Sequence, residues 1–521
     1  MSASNEKKTR KDAISETPKT AMEIEKQKAE KRSNFLYGLI AVVFVVLAVV
    51  SLIWKSGIVN RTATAVTIDG QKYSAAEVNF YYQNVYRSFL SSNSYFISYL
   101  GLDTSSSLKN QTINATAASM MGVEEGSSWF DYMMDNAIHQ MTTIQKGLEA
   151  AKAEGYQFPD SVQAQYQDSM DSLKTAATSS GMSVNKYLQQ NLGSTMTEKV
   201  YGQQVLKLLQ YQDYANAYAD RLTYTDEQLE EAYQADTKTY DKASWEYVVV
   251  SGAAESTTDA DGNTVQPTDE ETEAAKAAAK ETAKATAEEI LAAYNSGKSL
   301  ESIAGNYEKA TYYNTTDATY YDGVVGNWLF DDARKDGDTE ILEVGTNYYV
   351  GLFHSRGREE YKTVDIRHIL ITPETGTKAQ GDEGYEDEQT QLKAAARTKA
   401  EEILAQWKSG EATEDSFAQL AMENSADGSK YDGGLYTRVT KGWAVEEFND
   451  WCFDASRKDG DTGIVDTTYG SHVMSFVGYD LPAWAASVTS DLQEKAASEW
   501  STALSENADV QQSDFGMKFV G

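Results

Sequence analysis

The sequence predicts an α+β protein: a membrane-spanning helix, a helical domain, and two copies of a small domain whose antiparallel sheet is surrounded by helices. Three observations lead there. The chain has 521 residues, several times the length of a typical domain of about 150 residues. A run of 20 uncharged residues, Phe35 to Trp54, stands near its start. Asn327-Trp-Leu-Phe-Asp-Asp-Ala-Arg-Lys-Asp-Gly-Asp-Thr339 returns as Asp450-Trp-Cys-Phe-Asp-Ala-Ser-Arg-Lys-Asp-Gly-Asp-Thr462.

Composition narrows the chemistry before any motif does. With 41% hydrophobic and 24% charged residues, the chain has apolar material for packed cores. Its 79 acidic against 46 basic residues leave a net charge of −33, which repels phosphate backbones and excludes nucleic acid as a partner. A single cysteine, Cys452, excludes an intramolecular disulfide and a multi-thiolate zinc site. Four histidines, His139, His354, His368 and His472, leave little for a histidine-rich metal centre.

Residues 1–33 form the tail, with nine Lys/Arg and six acidic residues. Residues 34–55 hold the apolar run, long enough for a helix to cross about 30 Å of hydrocarbon and too long for a signal-peptide core. No small-residue cleavage motif follows it, only Lys55, Ser56 and Gly57. The positive-inside rule keeps the N-terminus in the cytoplasm and puts the bulk of the chain outside the cell membrane as a single-pass protein. There 36 basic residues face 73 acidic ones. One thiol in so long an extracytoplasmic chain fits a bacterial envelope better than a eukaryotic secretory route.

The helical domain spans 65–240. It opens with a short extended pair, Val66 to Tyr73, turning at Asp69-Gly70. Ser74-Ala-Ala-Glu77 is a capping box for a helix whose stripe is Val78, Tyr81, Tyr82, Val85 and Phe89. Further starts fall at Ser183 and at Thr225-Asp-Glu-Gln228. The repeated domains follow at 241–360 and 361–480. Glu246-Tyr-Val-Val-Val250 corresponds to Arg367-His-Ile-Leu-Ile371, and Ala287-Glu-Glu-Ile-Leu291 to Ala400-Glu-Glu-Ile-Leu404. Each copy reads strand, acidic loop, long helix, short helix, loop, helix, strand-turn-strand. The last segment, 481–521, carries Trp484, Val488, Leu492, Ala496, Trp500 and Leu504 four apart, a narrow stripe expected to pack on the helical domain.

The second copy holds an ordered motif set. Val364-Asp-Ile-Arg-His-Ile-Leu-Ile371 comes first, then Phe417-Ala-Gln-Leu-Ala421, Asn424-Ser-Ala-Asp427, Gly433-Gly434-Leu435, Glu447-Phe448 and Tyr469-Gly-Ser-His472-Val473. This set resembles the parvulin family of peptidyl-prolyl cis/trans isomerases over about Tyr361 to Tyr479. With the anchor and helical region added, the chain resembles the PrsA/SurA-like extracytoplasmic foldases of bacteria. The resemblance implies catalytic roles for His368, Asp427 and His472, and a proline pocket lined by Phe448, Phe453 and Ala444. Ala444 stands where the family often has Met. No cofactor and no metal are implied, because rotation about an X-Pro bond needs neither. The implied partners are unfolded or partly folded secreted polypeptides containing X-Pro bonds. The rival reading is a non-catalytic holdase that uses both copies for client binding.

The first copy lacks the set. Tyr247 stands at the place of His368 and Tyr349 at that of His472, so it reads as a degenerate domain that binds or spaces. Two further segments read blandly. Asp259-Ala-Asp-Gly-Asn263 has the wrong glycine position for a calcium loop. The loop Gly381 to Glu388 is acidic, which argues against selection of phosphorylated substrates.

Overall fold

The structure, a computed structural model, describes residues 42–49, 51, 57–254 and 269–521. Of the expected membrane span, residues 42–49 and 51 are exposed helix. The rest of 34–55, the tail, and Asp259 to Asn263 lie outside the described residues. Among the described residues, no helix is long and apolar enough to cross a membrane. The architecture is a mixture of helices and antiparallel sheets, divided into two units: residues up to Tyr214 with Trp500–Gly521, and Ala215–Glu499.

In the first unit, β1 (Thr64–Ile68) and β2 (Gln71–Ser74) pair antiparallel. Asp69 and Gly70 between them both take positive φ, 48° and 82°, the backbone that a two-residue hairpin turn needs. Helix α1 (Ala75–Ser92) starts at the capping box: Glu77 N donates to Ser74 Oγ, and Ser74 N donates to Glu77 Oε2 at 2.9 Å. Its stripe packs on α2 (Trp129–Glu154), burying Tyr81, Trp129 and Met133 to 1% exposure or less. Helices α3 (Asp160–Ser179), α4 (Val184–Leu192) and α5 (Glu198–Asp220) follow.

The second unit begins at Ala215, within α5, and continues with α6 (Asp226–Ala235), capped by Thr225 and Gln228. The first copy then runs β3 (Lys242–Val250), α7 (Asp269–Asn295), α8 (Leu300–Ala304), β4 (Ala310–Ala318), α9 (Val324–Leu329), β5 (Thr339–Val344) and β6 (Asn347–Gly357). The second runs β7 (Lys362–Ile371), α10 (Tyr385–Ser409), α11 (Glu414–Asn424), β8 (Leu435–Val439), α12 (Glu446–Cys452), β9 (Thr462–Thr467) and β10 (Gly470–Pro482). Their sheets are ordered β4-β3-β6-β5 and β8-β7-β10-β9, all antiparallel. Each central strand buries apolar side chains on both faces. Ile369, Val473, Ala400 and Phe417 cluster on one side of the second sheet, and Ile366, Met474, Phe476 and Phe448 on the other.

Helix α13 (Ala483–Ser505) begins in the second unit, where Ala485 and Val488 form a buried cluster with Leu229 and Tyr233 of α6. Trp500, in the first unit, packs edge-on against Tyr214 with ring centroids 5.7 Å apart. The segment 481–521 holds more than the expected helix. Strand β11 (Val510–Gln512) pairs antiparallel with β1, Val66 opposite Gln512, and completes a sheet in order β11-β1-β2. Three residues, two of them Gln, show no alternation, so nothing in the sequence marks them as a strand.

Candidate active site

His368 on β7 and His472 on β10 lie on adjacent central strands. Leu370 pairs with His472 and His368 with Met474, so the two histidines are diagonal neighbours on one face. Their rings lie 20° from parallel with centroids 5.3 Å apart, and the Nδ1 atoms are 3.1 Å from each other. Both are buried, at 3% and 5% exposure.

Asp427 reaches the pair from the loop after α11. That loop is tied to β7: Leu370 N donates to Ser425 Oγ at 3.0 Å, and Ala426 N to Leu370 O at 2.9 Å. The Asp427 carboxylate caps the turn that follows, accepting from Ser429 N at 2.9 Å. Gly433 and Gly434 return the chain with φ of 66° and 75°. A Cβ on Gly434 would collide with the carbonyl of His368, whose N–H donates to Gly434 O at 2.9 Å. The double glycine is therefore required by close approach to the histidine strand.

Asp427 Oδ1 gathers donors from Ser429 Oγ at 2.6 Å and Tyr436 OH at 2.9 Å, with His368 Nε2 at 3.3 Å. The contact with His368, helped by Ser429, holds its carboxyl well below the usual carboxylate range against the opposing effect of burial. At the other end, Thr467 Oγ1 lies 2.9 Å from His472 Nε2. Burial, then the neighbouring His368, pulls His472 down to about 4, so its ring is neutral at physiological pH. One run of protons fits these contacts: Thr467 to His472 Nε2, His472 Nδ1 to His368 Nδ1, and His368 Nε2 to the linked Ser429 and Asp427, with Ser429 Oγ 3.3 Å away.

Phe448 stands edge-on to both rings, 5.5 Å from His368 and 5.3 Å from His472 by centroid, and is itself buried. Ala444 packs, half-buried, in the same cluster. Phe453 makes its ring contact with Tyr361, at 5.9 Å, and with no histidine. The structure thus brings together His368, His472, Asp427 and Phe448, with Ala444 beside them. Four further residues complete the array: Ser429, Thr467, Tyr436 and Trp443. Trp443 lies 4.7 Å from Tyr436 and 6.3 Å from Phe448 and is 51% exposed. Only the Asp-Gly-Ser turn signature of Ser429 was a usable sequence signal for any of them. Among the described residues, no three His, Cys, Asp or Glu side chains converge as metal ligands.

The first copy has the same register. Tyr349 pairs with Val249, as His472 does with Leu370, and Tyr247 lies two residues before Val249. Tyr247 and Tyr349 stack at 5.7 Å and 14°, so a parallel ring pair persists where the imidazoles are lost. By the repeat alignment Val325 stands for Phe448, Trp245 for Ile366 and Gly351 for Met474. A Cβ on Gly351 would crowd Trp328 at 3.1 Å and Trp245 at 3.3 Å, so the large indoles fill the space given up on the neighbouring strand.

Comparison with known proteins finds a family match over the second copy. Residues 350–478 match the PPIC-type PPIASE domain. The chain is 29% identical over 142 residues to foldase protein PrsA 1 of Listeria innocua serovar 6a, covering 26% of this chain and 39% of that protein. It therefore spans about two fifths of that relative's length. Solved structures with similarity include the peptidylprolyl isomerase PrsA from Bacillus anthracis, at 21% identity over 31% of this chain and 60% of that one, TM-score 0.18. PrsA from Bacillus subtilis is similar at 13% identity over 76% and 93%, TM-score 0.29.

Proposed function

We propose that this chain, which carries a parvulin-type peptidyl-prolyl isomerase domain at residues 350–478, is a foldase that isomerises X-Pro bonds in unfolded secreted polypeptides outside the cytoplasmic membrane. The observation that carries the reading is the hydrogen-bonded array Thr467, His472, His368 and Asp427 beneath Phe448. Rotation about an amide crosses a barrier of about 18–20 kcal/mol because resonance is lost at the twisted state. A catalyst needs to favour that twisted amide over the planar one, with no covalent step. Asp427, its side chain 26% exposed, is the charged group at the edge of the array. The buried histidines act through it as positioning residues, and the fixed carboxylate supplies the field that a rotating carbonyl meets. Phe448 and Ala444 supply the apolar wall against which a proline ring rests.

The layout proposed around that domain has residues 65–240 as a chaperone-like helical domain and 241–360 as a degenerate copy. Residues 34–55 are an anchor, resting on the apolar run and its basic flank. A holding role alone, without catalysis, is favoured by the small Ala444 and the tyrosines of the first copy. The deciding experiment follows isomerisation of a short proline peptide by the full chain. Asp427→Ala and His368→Ala should each lower kcat/KM by at least about ten-fold, within the usual effect of a positioned polar group, with an unchanged circular dichroism spectrum. A wild-type chain with no activity would leave the holdase standing, and an active Asp427→Ala chain would remove the carboxylate from the catalytic reading.

A further inference from the structure

We propose that Trp443 is a specificity-determining residue: its exposed indole forms a subsite, outside the proline seat, for a large apolar or aromatic side chain that follows the proline. This rests on the reading that the second copy isomerises X-Pro bonds, and adds to it which of those bonds are turned over fastest.

The turn that carries the indole is clamped from three sides. Trp443 N donates to Thr440 O at 3.3 Å, Lys441 N to Tyr361 OH at 3.0 Å, and Gly442 N to Asn449 Oδ1, on α12, at 2.7 Å. Gly442 takes a φ of 77°, which lets the chain reverse there without strain. Trp443 is 51% exposed on this turn, and its Nε1–H has no hydrogen-bond partner among the described residues. A large ring held in place at the rim of a site, with half its surface in water, is preorganised to cover a ligand.

Neighbouring rings locate the subsite. By one path His368 lies 5.4 Å from Tyr436, and Tyr436 4.7 Å from Trp443. By the other His368 lies 5.5 Å from Phe448, and Phe448 6.3 Å from Trp443. One ring therefore separates the indole from the imidazole on either path, which puts Trp443 outside the seat itself. With the proline against Phe448 and Ala444, and the carbonyl before it at Asp427, the side left open is the one by which the chain leaves. The indole stands at that side. Charges of both signs flank the turn: Lys441, over the rings of Tyr361 and Phe453 at 4.6 and 5.8 Å, and the exposed Glu446 and Glu447 at the start of α12. Their fields oppose one another, so apolar area and ring contact set the preference. The Nε1–H adds a donor for a carbonyl beyond the proline.

The test uses the full chain and two peptide series, Ala-Ala-Pro-Z and Ala-X-Pro-Ala, with Phe, Leu, Ala or Glu at the varied place. Exchange between the cis and trans isomers is read directly by NMR. Wild type should favour Z = Phe over Z = Ala roughly ten-fold in kcat/KM, with Leu between them, as one aromatic pair provides. Trp443→Ala should lower kcat/KM about ten-fold for Z = Phe, chiefly through KM, and about two-fold for Z = Ala, so that the ratio nearly closes. Trp443→Phe, which keeps a ring, should retain most of the ratio. No exchange with any peptide would remove the isomerase reading and this subsite together. Three results would overturn the subsite while leaving the isomerase: a wild-type ratio near one, an equal loss on every peptide in Trp443→Ala, or a preference that follows X instead of Z.

Discussion

Two like nitrogens 3.1 Å apart share one proton, so the His368–His472 contact has a direction. With both rings neutral it runs from Thr467 towards Asp427. Burial sets a sign as well. His472 drops to about 4 in the folded chain, from about 6.5 when unfolded. Its contribution to stability is whole above about 6.5 and drains as pH falls towards 4. Asp427, lowered by His368 and Ser429, contributes above its unfolded value and loses that only in stronger acid. Denaturant titrations between pH 7 and 4.5 should therefore show a shallower pH slope in His472→Gln than in wild type, and equal slopes would refute the buried neutral ring. At this scale the sequence located the histidines, Asp427 and Phe448, because they fall in motifs. Thr467 and Tyr436 were invisible, since a hydroxyl that meets a site only through strand pairing leaves no local pattern. Phe453 packs, half-buried, against the same cluster as Phe448. Five residues beyond Phe448, it lies just past the end of α12, and turns to Tyr361.

Elements built on local rules were readable. The capping boxes at Ser74 and Thr225, the Asp69-Gly70 turn and the repeated strands all follow from chemistry within a few residues. The glycine pair between the turn at Asp427 and β8 was readable as a member of the motif set but not for its tighter requirement, which comes from β7. Gly434→Ala should cost at least about 2 kcal/mol, combining left-handed backbone strain with displacement of the His368 strand. It should lower isomerase activity by separating Asp427 from the histidines. Gly428→Ala, where an added Cβ meets nothing within 4 Å, should be near neutral. Paired unfolding curves decide this: equal stability of the two variants would mean that the close approach is not a constraint.

Across the whole molecule, the least readable feature was the end of the C-terminal segment: a helix there was expected to pack on the helical domain, but strand β11 and the residues after it leave no pattern in the sequence. Beyond β11, Val520 is 1% exposed in the core, Lys109 Nζ donates to its carbonyl at 2.9 Å, and Gly521 N donates to Asn79 Oδ1 at 3.0 Å. Deleting residues 506–521 strips β1 of one of its two partner strands and opens that core. The first unit should then lose its cooperative thermal transition and be cleaved by protease between residues 57 and 214, with isomerase rate as the reference for the second unit. A melting profile like that of the intact chain would show that the segment is dispensable. The pairing of Val66 with Gln512 also sets an order of events during synthesis. Both repeated sheets are made of strands close in sequence and can close as each leaves the ribosome. The hairpin at Val66 has to wait for more than four hundred residues before its edge is covered. A newborn chain therefore passes through a period in which its earliest strand is an open template, exposed until its last strand arrives.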